Sequence, residues 1–159
     1  MVIRDLRPDD LPGFLELLNG KAKFDGAESI NCASVENLRN AFFGERPSAF
    51  ALVAEADGKL VAMATYYTVF SLYLVKPSIW LNDLFVHPDW RNKQIGPKLL
   101  ARLCEIAIDK GCARIDWIVA TTNSKGQAFY RRLGAEVFET VRLARFNEAA
   151  IRGLSRMPA

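Results

Sequence analysis

The chain has 159 residues, half of them hydrophobic, and its 21 Lys and Arg against 18 Asp and Glu leave a net charge of +3. So small a charge gives no argument for nucleic-acid binding, which normally shows itself in a strongly basic face, and no apolar run reaches the ~18 residues of a membrane-spanning helix. This length suits one globular domain that folds without disulfides or a metal.

Residues 2 to 6 alternate weakly and precede Pro8, which predicts a short strand and then a helix over about 9 to 22. Ser34 introduces a second short helix with Leu38, Ala41 and Phe42 on one face. The run AFALVAEA, Ala49 to Ala56, reads as a strand that meets Asp57-Gly58, a two-residue hairpin signal, and its partner runs from Lys59 to about Phe70. A loop follows to Pro77, and the next strand runs from about Ile79 to Val86, stopped by His87-Pro88.

Beyond Gly96 the period changes. Leu99, Leu103, Ile106 and Ala107 share one helical face, Lys98, Arg102, Glu105 and Asp109 the other, and Gly111 closes the helix. Ala113 to Ala120 reads as a strand, Ser124 to Leu133 as a helix ended by Gly134, and Val137 to Phe146 as a last strand. The expected fold is an α/β (α+β) domain over residues 1–146, with a mixed, mostly antiparallel sheet of about six strands flanked by about four helices. A tail over residues 147–159 carries Ile151 and Leu154 beside Arg152 and Arg156, which suits either a short amphipathic packing element or a frayed terminus.

The first fifteen residues carry Arg4, Asp5, Arg7, Asp9 and Asp10 where a secretory signal needs an apolar stretch, so a cytoplasmic location is expected. Cys32, Cys104 and Cys112 are odd in number and match no metal-site spacing, which reads as reduced, buried thiols. A single histidine, His87, excludes a HExxH zinc site, and no G-x-S-x-G elbow is present; no metal is expected.

The segment LNDLFVHPDWRNKQIGPKLL, residues 81 to 100, runs from an apolar strand through a basic loop into an amphipathic helix. Unpaired N–H groups and the positive dipole end make such a helix start an anion site, and Arg91, Lys93 and Lys98 add charge there. Gly96-Pro97 is equally well a plain helix start.

The same segment resembles the core motif of the GNAT family of N-acetyltransferases, Arg/Gln-x-x-Gly-x-Gly/Ala after a strand, here Arg91-Asn92-Lys93-Gln94-Ile95-Gly96. Downstream, NSKGQAFYRRLGAEVF, residues 123 to 138, resembles the family's second motif, with an asparagine, a helix holding Phe-Tyr, and Leu-Gly. Within the family the chain is most similar to the spermidine/spermine and thialysine N-acetyltransferases, on Ala22-Lys23-Phe24-Asp25, Phe43-Gly44-Glu45 and the strand LNDLFV.

The resemblance implies an acetyl-CoA-dependent transfer to the primary amine of a small molecule, amino-acid-like or a diamine, with no nucleic acid or membrane as partner. It implies a homodimer, since members of this subgroup are commonly dimers. Backbone groups of Leu84, Phe85 and Val86 would bind the pantetheine arm, and those of Arg91, Asn92, Lys93, Gln94, Ile95, Gly96 and Pro97 the pyrophosphate, Pro97 without an N–H. Such groups are spare only where a strand splays or bulges. Tyr130 would be the general acid, because a phenol of pKa ~10 is still protonated when a thiolate leaves. Asn123 would bind pantetheine or position the substrate, and by itself is equally an N-cap for the helix that follows, while Lys125, Arg131 and Arg132 suit either the adenosine 3'-phosphate or a solvated face.

Departures from the pattern concentrate around the acceptor. Gln94 replaces the first glycine of the phosphate loop, Asn82 replaces a glutamate, and Thr121 and Thr122 stand where the subgroup has an acid and a tryptophan before the asparagine. The base is left among Asp83, Asp25 and His87, with Asp83 taken as the catalytic candidate and Asp25, Asn82, Thr121 and Thr122 as acceptor contacts. These departures also motivate a second reading, a CoA-binding sensor or interaction module of low turnover; a third is acetylation of proteins or peptides.

Overall fold

The structure is a computed structural model that describes residues 1–157. It divides into two compact units, Met1–Ile118 and the remainder from Val119. Among the described residues there are five strands and five α-helices, against the expected six and four or so, and no helix is long and apolar enough to cross a membrane.

The first unit is built on one sheet of strands β1 (Val2–Asp5), β2 (Phe50–Ala56), β3 (Lys59–Ser71), β4 (Lys76–Val86) and β5 (Ile115–Asp116), which lie side by side in that order. The first four pair antiparallel and β5 runs parallel to β4, a connection that needs a crossover and receives it from helix α3 (Ile95–Asp109). Asp57 and Gly58 both adopt positive φ, 52° and 72°, as the two-residue turn matching strand twist demands, so that hairpin forms where its dipeptide predicts it. Strand β4 starts earlier than Ile79, because Pro77, opposite Phe70 near the strand's beginning, sits where its missing N–H is tolerated.

Helix α3 covers one face of the sheet, packing Ile95, Leu99, Leu103 and Ala107 on Leu52, Ala54, Ala62, Ala64, Ile79 and Leu81. Helices α1 (Leu11–Asp25) and α2 (Val35–Phe43) cover the other, packing Leu11, Phe14, Leu17 and Leu38 on Ala51, Val53, Met63 and Phe85. Burial on both sides explains why β2 reads as an almost unbroken apolar run rather than an alternating one. The Ser34 hydroxyl accepts the Asn37 N–H at 3.1 Å, the N-cap that its position predicts. Arg4 on β1 holds Asp10 at 2.6 Å and Glu55 at 2.7 Å, tying the first strand to the turn before α1 and to β2.

In the second unit, α4 (Ser124–Arg132) ends at Leu133 with Gly134 at φ 90°. The Ala135 N–H reaches the Tyr130 carbonyl at 3.1 Å and the Gly134 N–H the Arg131 carbonyl at 3.0 Å, the paired bonds that a left-handed glycine cap permits. The tail forms a short helix, α5 (Glu148–Leu154), capped by the Asn147 side chain on the Ala150 N–H, while residues 158 and 159 of that tail lie outside the described residues.

Three expectations need correction. Val137 to Phe146 alternates like a strand but forms none, because a strand exists only through a ladder to a neighbour, and this segment pairs with no strand among the described residues. The expected strand from Ala113 to Ala120 shrinks to Ile115–Asp116 for the same reason. Cys32 and Cys104 are exposed and Cys112 is half-buried. Cys104 follows the buried Leu103 on α3, and one residue turns a helical side chain by about 100° toward solvent.

Candidate active site

The register of β3 against β4 passes from Thr65 opposite Asp83 to Tyr66 opposite Leu81, so Asn82 is an extra residue and β4 bulges there. On the other edge, the ladder to β5 covers only Ile79 and Trp80. Beyond Trp80 that edge of β4 belongs to no ladder among the described residues. The His87 N–H donates to the Val61 carbonyl at 2.9 Å, which sets the alternation: Phe85 and Asp83 turn their peptide groups to β3, whereas Leu84 and Val86 turn theirs away. The Val86 carbonyl accepts Arg91 Nε at 3.2 Å. Phe85, with its ring in the core under α1 and its peptide groups in the ladder, therefore drops out of the set offering backbone donors.

The loop after β4 carries its strain at two non-glycine residues, Asn92 at φ 62° and Gln94 at φ 60°. Gln94 is the N-cap of α3 in the left-handed region, and its side chain caps nothing. The Lys98 N–H bonds the Gln94 carbonyl at 3.2 Å, and Pro97 has no N–H, so the N–H groups of Ile95 and Gly96 are left without intrahelical partners at the positive end of the helix. Two cations beside this end lie on aromatic rings: Arg91 over Phe24 at 5.1 Å and Lys93 over Trp90 at 4.3 Å.

A left-handed conformation costs a residue with a Cβ about 1 kcal/mol or more, and glycine nothing. Gln94→Gly is expected to raise the unfolding free energy by up to about 1 kcal/mol and to tighten acetyl-CoA modestly, whereas Gln94→Val lowers stability by about 1 kcal/mol or more. Urea denaturation of both variants checks the first part and calorimetry the second. A Gln94→Gly protein that binds more weakly would show that the Gln94 side chain itself contacts the cofactor.

On the α1 side of β4, the Asp83 carboxylate is saturated with donors. Oδ2 accepts Thr65 Oγ1 at 3.0 Å and Asn82 Nδ2 at 2.7 Å, and Oδ1 faces the Lys21 ammonium at 3.2 Å. Lys21 also pairs with Asp25, one helical turn along α1. Burial works against the Lys21 ammonium, yet Asp25 and Asp83 outweigh it and hold its pKa above the ordinary value. Both oxygens of the Asp83 carboxylate are therefore engaged by neighbouring donors within the structure.

Lys21 escaped the sequence reading although a signal was available. It lies seven residues after Phe14 and four after Leu17, on the buried stripe of α1, where a lysine needs a partner.

His87 caps the short turn Pro88–Trp90, its Nδ1 accepting the Asp89 N–H at 3.4 Å, and is exposed. With Gly20, Lys23, Phe85 and Arg91 it also lines a cavity of about 440 Å³ under α1. A Cβ on Gly20 would come within 3.2 Å of the Phe85 ring, so that wall requires glycine or a shifted ring.

In the second unit, the Asn123 side chain accepts the Gly126 N–H at 2.9 Å and so caps α4. Thr121 and Thr122 are exposed, and the Thr121 carbonyl is bound by Gln127 Nε2 at 3.1 Å. Tyr130 lies edge-on to Phe129, ring centroids 5.1 Å apart, and burial pushes its phenol pKa upward. Arg131 pairs with Glu139 at 3.1 Å, while Lys125 and Arg132 are exposed.

The profile of the Acetyltransferase (GNAT) family matches residues 15–135, from α1 to the end of α4. The chain belongs to the GNAT family. It is an N-acetyltransferase, and the family's acyl donor is acetyl-CoA. It is 32% identical over 143 residues to the thialysine N-epsilon-acetyltransferase of Sus scrofa, covering 85% of this chain and 84% of that one. It is 27% identical over 101 residues to an L-ornithine N5-acetyltransferase of Arabidopsis thaliana, covering 64% of this chain and 44% of that one. An integron cassette protein from the mobile metagenome of V. cholerae shares the fold with a TM-score of 0.83 at 24% identity over 98% of each chain.

What β4 and α3 present fits an acyl-CoA in a GNAT fold: an unpaired strand edge for an amide-bearing arm, and free N–H groups at a helix start for its phosphates.

Proposed function

We propose that this GNAT protein transfers the acetyl group of acetyl-CoA to the primary amine of a small molecule, an amino-acid-like amine or a diamine. The observation that carries the reading is the edge of β4 released between the Asn82 bulge and the uncapped start of α3. The relatives named for thialysine and ornithine, both amino acids with a side-chain amine, support the acceptor class.

In this reading the peptide N–H of Leu84 or Val86 donates to the thioester carbonyl, where negative charge develops as the amine attacks. The Ile95 and Gly96 N–H groups, with the loop from Asn92 to Gln94, hold the pyrophosphate. The new C–N bond replaces the C–S bond, and the Tyr130 phenol gives its proton to the departing thiolate. The acceptor nitrogen loses its proton through water. Asp83 and Asp25 serve as hydrogen-bond acceptors that shape the amine site from the α1 side.

Isothermal calorimetry is expected to show one acetyl-CoA site per chain, and thiol release is expected with at least one member of a panel of diamines, polyamines, lysine-like amino acids, aminoglycosides and peptides. No heat at millimolar acetyl-CoA overturns the reading. Binding without turnover of any amine selects the sensor reading instead, and turnover of peptides alone selects protein acetylation.

A further inference from the structure

Helix α1 places an ammonium of the protein's own against Asp25 and Asp83, the two carboxylates of the proposed amine site. Lys21 Nζ lies 3.2 Å from Asp83 Oδ1 and on Asp25 Oδ2, with 18% of its side chain exposed against 20% for Asp83 and 41% for Asp25. The remaining oxygen of Asp83 is taken by Thr65 and Asn82. Asp83 and Asn82 belong to the released stretch of β4, beside the Leu84 peptide group assigned to the reacting carbonyl.

We infer that Lys21 is a specificity-determining residue: its ammonium fills the Asp25–Asp83 carboxylate pair from inside, so diamines and polyamines are disfavoured against amines whose far end is neutral or a carboxylate. This rests on the transfer reading of β4. A site that recognises a diamine must meet the distal ammonium with a desolvated carboxylate. Here both nearby carboxylates already have a cation, and a second ammonium brought to them lies next to Lys21, where like charges repel. A carboxylate at the far end of the acceptor meets the opposite situation, since the Lys21 ammonium draws it in. Lys21 is held by two acids, continues the helical spacing of Phe14 and Leu17, and has 18% of its side chain exposed, so it is a built part of the proposed site rather than a mobile surface charge.

The test compares wild type, Lys21→Met and Lys21→Arg. For each, kcat/KM is measured with spermidine, putrescine and lysine, and the diamine-to-lysine ratio is taken within one enzyme so that general damage cancels. Lys21→Met is expected to raise that ratio at least about tenfold, because Asp25 and Asp83 become free to take the acceptor's ammonium, and Lys21→Arg is expected to keep it within about threefold. An unchanged ratio in Lys21→Met, or a wild type that prefers spermidine to lysine, overturns the inference.

If the wild type binds acetyl-CoA but acetylates no amine, the transfer reading has failed, and the inference is read by titrating spermidine into the CoA-saturated proteins. About tenfold tighter binding to Lys21→Met upholds it, and equal binding overturns it. Should Lys21→Met lose acetyl-CoA binding, Lys21→Gln, which keeps a donor to Asp83 without the charge, replaces it in the same comparison.

Discussion

Tyr130→Phe is expected to lower kcat by about 10²- to 10⁴-fold, the usual contribution of one general acid, and to leave acetyl-CoA affinity nearly unchanged. In the proposed reaction the phenol is needed only as the thiolate leaves, so its loss would fall on the chemical step. Phenylalanine keeps the ring that packs edge-on against Phe129 at 5.1 Å, and with it the local structure of α4. Burial raises the Tyr130 pKa above its ordinary value of ~10, which keeps the proton on the oxygen across the neutral range where a thiolate of pKa ~8.5 must be protonated. Wild-type activity should therefore not fall from loss of this proton until the medium passes about pH 10, whereas the variant stays low throughout. Thiol-release kinetics from pH 6 to about pH 10 and calorimetry with CoA check both halves. Activity within about threefold of wild type at every pH removes Tyr130 from the mechanism.

Arg4→Met is expected to lower the unfolding free energy by about 2 to 4 kcal/mol at pH 7. The guanidinium makes a forked contact with Asp10, Nη1 to Oδ2 at 2.6 Å and Nη2 to Oδ1 at 2.9 Å, and also holds Glu55. Side-chain exposure is 15% for Arg4 and 13% for Asp10, so removing the cation leaves a nearly buried carboxylate with only the Arg7 N–H as donor. Glu55, at 38%, regains water and loses less, which places the estimate below that for a fully enclosed triad.

The pH dependence follows from the same contact. Arg4 holds the Asp10 pKa below the ordinary carboxylate value, so this contribution is complete above the unfolded pKa of ~3.9 and is lost as pH falls through the lower folded value. The gap between wild type and Arg4→Met should accordingly be constant from pH 7 to about 5 and narrow below about 4. Urea titrations at several pH values measure it. A loss under about 0.5 kcal/mol at pH 7 would show that water screens the network.

The amino-acid sequence by itself determined what depends on a few neighbouring residues. Asp57-Gly58 dictated a hairpin through its backbone preferences, Ser34 a helix start through its hydroxyl, and the period of Leu99, Leu103 and Ala107 the buried face of α3. The strand, basic loop and helix order from residues 81 to 100 is equally local, which is why the GNAT resemblance was legible there. Gln94 stood out as a misplaced residue, but the sign of its φ is set by the loop that α3 and β4 pin at both ends.

Tertiary structure decided the rest. The bulge at Asn82 and the end of the β5 ladder at Trp80 are matters of register between strands, and register is a property of pairs of segments. Val137 to Phe146 shows the converse, a strand-like pattern that no neighbouring strand turns into a ladder. Lys21 meets Asp83, 62 positions further along the sequence, because α1 and β4 converge through the core formed by Phe14, Leu17, Met63 and Phe85. No spacing rule spans that distance: an ion pair of this kind exists only once hydrophobic packing has brought two separate elements together.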